Sequence, residues 1–188
     1  GDRGLCGSYN QAVFNAADKF LQKFNLNEVE VIPVGRKAVN HYAAGKYQTS
    51  HAISVWGGKI THEEIHAFTD AIIERYLKEE LDEVWVIYTH FVSLAKRSIV
   101  IDKFLNIEFE KKEVRPPNYI LEPNAYEIFA EILPRYSSAK ISSVLNEAYL
   151  SELAARIFSM RAATKNSEEM ITSLTLVRNK IRQSSITR

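Results

Sequence analysis

Residues 135–188 run for 54 positions without a glycine or a proline and are rich in Ala, Leu, Glu, Ser and Arg. That composition predicts one long helix, which unbroken extends ~80 Å at ~1.5 Å per residue. A globular domain of this size does not need such a length, so the helix is expected to protrude. Leu150, Leu153, Ile157, Met160, Thr164, Ser167, Ile171, Leu174, Arg178 and Ile181 step by alternating threes and fours. This is a heptad seam with polar interruptions, and a seam requires a partner helix. Folding back on the rest of the chain would need a break, which Ser137-Ser138 or Ser142-Ser143 provides only weakly. No other segment is long enough to pair with the seam. The partner is therefore expected to be another molecule or a helix preceding Gly1.

Residues 1–134 alternate β-rich runs with helical patterns, which predicts an α/β layered domain ahead of the helix of 135–188. Strands are predicted over 29–34, 51–56, 84–89, 98–107 and 118–121, and helices over 11–24, 36–44 and 63–77. In the last helix Ile65, Phe68, Ile72 and Tyr76 recur at helical spacing, so one face packs on a sheet. The turn-rich stretch 1–7 leads straight into a helical pattern, and the chain is expected to begin mid-domain. Of the 188 residues, 46% are hydrophobic, which fits a folded chain. Its longest apolar runs fall far short of the roughly 20 residues that span a bilayer. The lone Cys6 permits no internal disulfide.

Charge is divided unevenly. Residues 1–134 carry 15 Lys+Arg against 19 Asp+Glu, a net −4, whereas residues 135–188 carry 9 against 4, a net +5. A basic helix suits passage through an acidic or polar sleeve. Its cations are spread along the whole segment and mixed with acids, unlike the clustered footprint of a nucleic-acid binder.

His62-Glu63-Glu64-Ile65-His66 is a literal H-E-x-x-H, the pattern in which two histidines on one helical face hold zinc and the glutamate polarises a water. A zinc-dependent hydrolase is thus one rival reading. Against it, Thr61 and Glu64 form a capping box that puts His62 in an exposed first turn, and the candidate third ligands Glu79, Glu80 and Glu83 sit in a charged run that reads as a solvated helix end. Gly1, Gly4 and Gly7 precede a helix but fit neither phosphate-binding glycine pattern, so they read as a structural turn. Cys6, His41, His51 and His90 form no evident nucleophile–base pair, and a small buried cysteine is the expected role of Cys6. A coiled-coil adaptor with an α/β head is the second rival.

Two segments resemble the gamma subunit of F-type ATP synthases. One is Asp2-Arg3-Gly4-Leu5-Cys6-Gly7-Ser8-Tyr9-Asn10. The other runs from Ala154-Ala155-Arg156-Ile157 through Ala162-Ala163-Thr164-Lys165-Asn166 and on to Asn179-Lys180-Ile181-Arg182-Gln183-Ser184-Ser185-Ile186-Thr187. Weaker echoes lie at Gly35-Arg36-Lys37, Tyr88-Thr89-His90-Phe91 and Tyr119-Ile120-Leu121-Glu122-Pro123. The resemblance implies a Rossmann-like layered domain, the foot (1–134), followed by a long C-terminal coiled-coil helix, the rotor shaft (135–188). The shaft's partner would be the subunit's own N-terminal helix, absent here. It implies a non-catalytic rotor without cofactor or metal, coupling c-ring rotation to ATP synthesis and hydrolysis on the beta subunits. The implied partners are the alpha, beta and epsilon subunits and the c-ring. Tyr119 and Glu122 match positions that meet the c-ring loops and epsilon, and Arg182, Gln183 and Thr187 match positions that meet the beta-subunit catch loops. The implied location is peripheral, on the cytoplasmic face of a bacterial inner membrane or the matrix side of the mitochondrial one. A redox-switch cysteine pair found in chloroplast relatives has no counterpart here.

Overall fold

The computed structural model describes residues 1–50, 53, 57, 60–94, 96–105, 122 and 124–187. The chain runs through α1 (Tyr9–Leu21), a 3-10 turn at Leu26–Glu28, β1 (Glu30–Val31), α2 (Arg36–Ala43), β2 (Gln48–Thr49) and α3 (His62–Leu77). It continues with β3 (Val84–Phe91), β4 (Arg97–Leu105) and α4 (Ala125–Ile186). β1 and β2 pair in parallel, Glu30 with Gln48 and Val31 with Thr49, with α2 as the crossover. β3 and β4 form an antiparallel hairpin from Val84↔Leu105 to Phe91↔Arg97, with a bulge between Val84 and Trp85.

These elements follow the predicted alternation with instructive differences. The run 29–34 yields only a two-residue strand because Pro33 lacks an amide and interrupts the ladder. Pairing resumes at Val34, which bridges Ile53 in parallel, and Gly35 N donates to Ile53 O at 2.7 Å. Ile53 is the one described residue of the predicted strand 51–56, the predicted strand 118–121 lies outside the described residues, and Gln48–Thr49 is a strand the pattern did not predict. α3 starts where the capping box requires: Glu64 N donates to Thr61 Oγ1 at 3.2 Å, and Thr61 N donates to the Glu64 carboxylate at 2.8 Å.

α4 is a continuous helix of 62 residues, ~93 Å long. It begins at Ala125, ahead of Pro134 rather than after it. The start is set by Asn124, whose side chain accepts from Glu127 N at 3.0 Å. Pro134 withdraws one amide from the helix ladder, but residues 131–136 are exposed and water can solvate the carbonyl left without that donor.

The core lies between α3, the hairpin and α4. Ile65 and Ile72 of α3, Phe104 and Leu105 of β4, and Ile141 and Leu145 of α4 are all buried in it. Burial of each of these side chains contributes ~1.5–3 kcal/mol. Among the described residues no helix is long and apolar enough to cross a membrane.

Candidate functional site: the seat of the long helix

α4 divides near Arg156. From Ser137 to that point it lies on the α/β domain, whereas 129–136 are exposed and beyond Arg156 nearly every side chain is exposed. In the seated half the apolar contact comes first from Ile141 and Leu145. Further along, Ala154 and Ala155 let the helix approach closely, and Ala155 packs with Cys6 and Tyr9. Cys6 is therefore buried, as expected, with its thiol donating to Arg3 O at 3.6 Å. Burial pushes the Tyr9 hydroxyl up to about 12, and it donates to Ala148 O at 2.8 Å.

Polar bonds line the same seat. Fully buried Ser151 donates to Thr89 O at 3.0 Å. Lys140 pairs with Asp102 at 2.7 Å, and Glu147 meets His90 Nδ1 at 2.5 Å. The Asp102 carboxylate beside it raises the pKa of Lys140.

The densest polar cluster joins α4 to the loop 1–7. Glu152, only 3% exposed, accepts from Asp2 N at 2.9 Å and from Arg3 N at 3.1 Å, and pairs with Arg156 one turn on. Arg156 Nε also donates to Gly4 O at 3.2 Å. A buried carboxylate costs several kcal/mol of desolvation, offset here by charge-assisted bonds to three donors. The Asp2 carboxylate in turn accepts from Arg36 N at 2.9 Å, at the start of α2, and from Gly57 N. Gly35 has φ +96°, and a Cβ there would stand 2.8 Å from Gly1 O. The loop is thus a structural turn whose Asp2 and Arg3 amides point at Glu152. The sequence reading missed this cluster: the one local signal is the i, i+4 spacing of Glu152 and Arg156 within an alanine-rich stretch.

His62, Glu63 and His66 are exposed on α3, and His66 Nδ1 is bonded to Ser138 Oγ at 2.9 Å. Among the described residues no group of three or more His, Cys, Asp or Glu side chains could hold a metal. Neither this geometry nor any relative supports the zinc hydrolase reading.

Of the implied contact residues, Tyr119 lies outside the described residues, and Glu122 is exposed just ahead of α4. Arg182 and Gln183 are exposed at the far end, where Thr187 N and Oγ1 donate to Gln183 O at 3.1 and 2.8 Å. Some 60 residues, most of them in α4, separate Glu122 from Arg182, about 90 Å at ~1.5 Å per helical residue. In the free half Ile157, Met160, Ile171, Leu174 and Ile181 present an exposed apolar face, with Leu174 60% exposed. An exposed stripe of this extent marks an interaction surface.

An α/β domain seated on the middle of a helix whose far half runs free with an apolar face defines a head-and-shaft protein, its shaft built to pair with a partner helix. The family model described as ATP synthase matches residues 1–188. The ATP synthase gamma chain of Protochlamydia amoebophila is 46% identical over 189 residues, covering 100% of this chain and 66% of that relative. The gamma chain of Desulfitobacterium hafniense is 35% identical over 186 residues, covering 99% of this chain and 66% of that relative. The chain belongs to the ATP synthase gamma chain family, and it spans 66% of the length of these relatives. In fold it resembles the rotor of the Euglena gracilis mitochondrial ATP synthase, with TM-score 0.64 and 17% identity over 98% of this chain and 71% of that one. It also resembles the central stalk and c-ring structure of the Tetrahymena thermophila mitochondrial enzyme, with TM-score 0.61 and 19% identity over 87% of this chain and 72% of that one.

Proposed function

We propose that this chain is the foot (1–134) and C-terminal shaft helix (135–188) of the non-catalytic central-stalk subunit of a proton-translocating ATP synthase. The observation that carries this reading is α4 itself, seated through Arg156 and free with an apolar face beyond it. A stiff, eccentric shaft presents different faces to three otherwise equivalent catalytic subunits. Each rotation step then favours a different conformation in each of them, because a partner shifts an equilibrium by its differential contacts. Chemistry stays on the beta subunits, and this chain transmits torque.

In this reading the apolar face of α4 pairs with the subunit's own N-terminal helix. Tyr119 and Glu122 face the c-ring and the epsilon subunit, and Arg182, Gln183 and Thr187 touch the beta subunits. The placement of Glu122 and Arg182 at opposite ends of α4 supports separate partners for the two sets. The chain would associate with the cytoplasmic face of the membrane only through the c-ring.

The test is co-expression of the full-length chain, N-terminal helix included, with the alpha and beta subunits. The expected result is a complex with one copy of this chain per three alpha–beta pairs that hydrolyses ATP. Recovery of alpha and beta without this chain would overturn the reading.

A further inference from the structure

We infer that Glu152 is the positioning residue that sets the rotational register of the shaft helix on the foot. This rests on the rotor reading above. Apolar contacts such as Ile141 and Leu145 are non-directional and tolerate a small turn of the helix. Lys140–Asp102 and Glu147–His90 join partly exposed side chains that can follow such a turn. Ser151 and Tyr9 each contribute one bond.

Glu152 differs because its donors do not move. Asp2 N and Arg3 N are backbone amides, and their loop is itself pinned to α2 through Asp2 to Arg36 N at 2.9 Å and through Lys37 N to Gly1 O at 2.8 Å. Arg156 closes the far side by bonding both Glu152 and Gly4 O. A rotation of α4 by about 20° carries a group ~6 Å from the axis by about 2 Å, enough to break both amide bonds. The clamp also lies where the seat ends. Some 30 residues, ~45 Å of helix, run free beyond Arg156, so a 5° tilt of the axis, which the two fixed amides and Gly4 O also resist, displaces the tip by about 4 Å. Glu152 therefore fixes the direction in which the shaft leaves the foot, and coupling depends on it more than hydrolysis does.

The experiment uses the full-length chain in the membrane-bound complex. In the E152Q variant ATP hydrolysis falls no more than about twofold, whereas protons pumped per ATP fall at least about threefold. Spin labels at Lys37→Cys and Ser173→Cys, in a Cys6→Ala background, report the foot–shaft distance directly; its distribution is expected to broaden in E152Q. Asp2→Ala, which removes the side-chain bonds to Arg36 N and Gly57 N and so loosens the loop on α2 without altering a residue of α4, is expected to broaden it too and keeps the inference testable should E152Q fail to assemble. An unchanged pumping ratio with an unchanged distance distribution overturns the inference, as does a proportional loss of pumping and hydrolysis. If the unsubstituted complex does not pump, the rotor reading has failed, and the distance distributions still decide whether Glu152 sets the register.

Discussion

Replacing Ile141 of α4 with alanine removes three carbons from a side chain that is 4% exposed and packed in one cluster with residues of α3 and β4. At ~0.8 kcal/mol per buried methylene the transfer loss alone is ~2.4 kcal/mol. The cavity left among Ile65, Ile72, Phe104 and Leu145 adds to it, and the total expected is about 3–4 kcal/mol. Trp85 on β3 lies 5.2 Å from the Phe20 ring and reports on the foot, so urea unfolding followed by its fluorescence reads this change. With a slope near ~2 kcal/mol per molar urea, the midpoint falls by about 1.5–2 M. Leu174→Ala, on the free half of α4, is the control. At 60% exposure it is expected to shift the same transition by less than about 0.5 kcal/mol. A midpoint change under about 0.5 M for Ile141→Ala, or an equal change for Leu174→Ala, would refute the seating of α4 on α3 and β4.

Thr61→Ala removes the side-chain half of the α3 capping box, the Oγ1 that accepts from Glu64 N, and is expected to cost ~1 kcal/mol in the same assay, without loss of helix elsewhere by circular dichroism. Tyr9 predicts an alkaline limb: the buried hydroxyl ionises only at about 12, whereas in the unfolded chain it ionises near ~10. The folded state holds the proton more tightly, so the stability Tyr9 contributes is complete below about pH 10 and is lost as pH rises towards about 12. Unfolding midpoints measured across that window should fall less steeply in Tyr9→Phe; equal slopes would contradict the burial of this hydroxyl.

The features legible in the sequence are those whose cause lies within a few residues. The glycine- and proline-free stretch of 135–188 specified helix, its threes and fours specified an apolar seam, and Thr61 with Glu64 specified the start of α3 and hence the exposure of His62. Single residues also broke local expectations: Pro33 cut β1 short, and Asn124 started α4 before Pro134, because a cap and solvent access outweigh one missing amide. What only the tertiary structure decided is which charges are buried. Glu152 reads as one more surface charge on a long helix, yet it is held by Asp2 and Arg3, 150 and 149 positions away. The physical reason is range. Periodicity and capping act over a turn or two of backbone, whereas the satisfaction of a buried carboxylate depends on amides that folding alone brings to it.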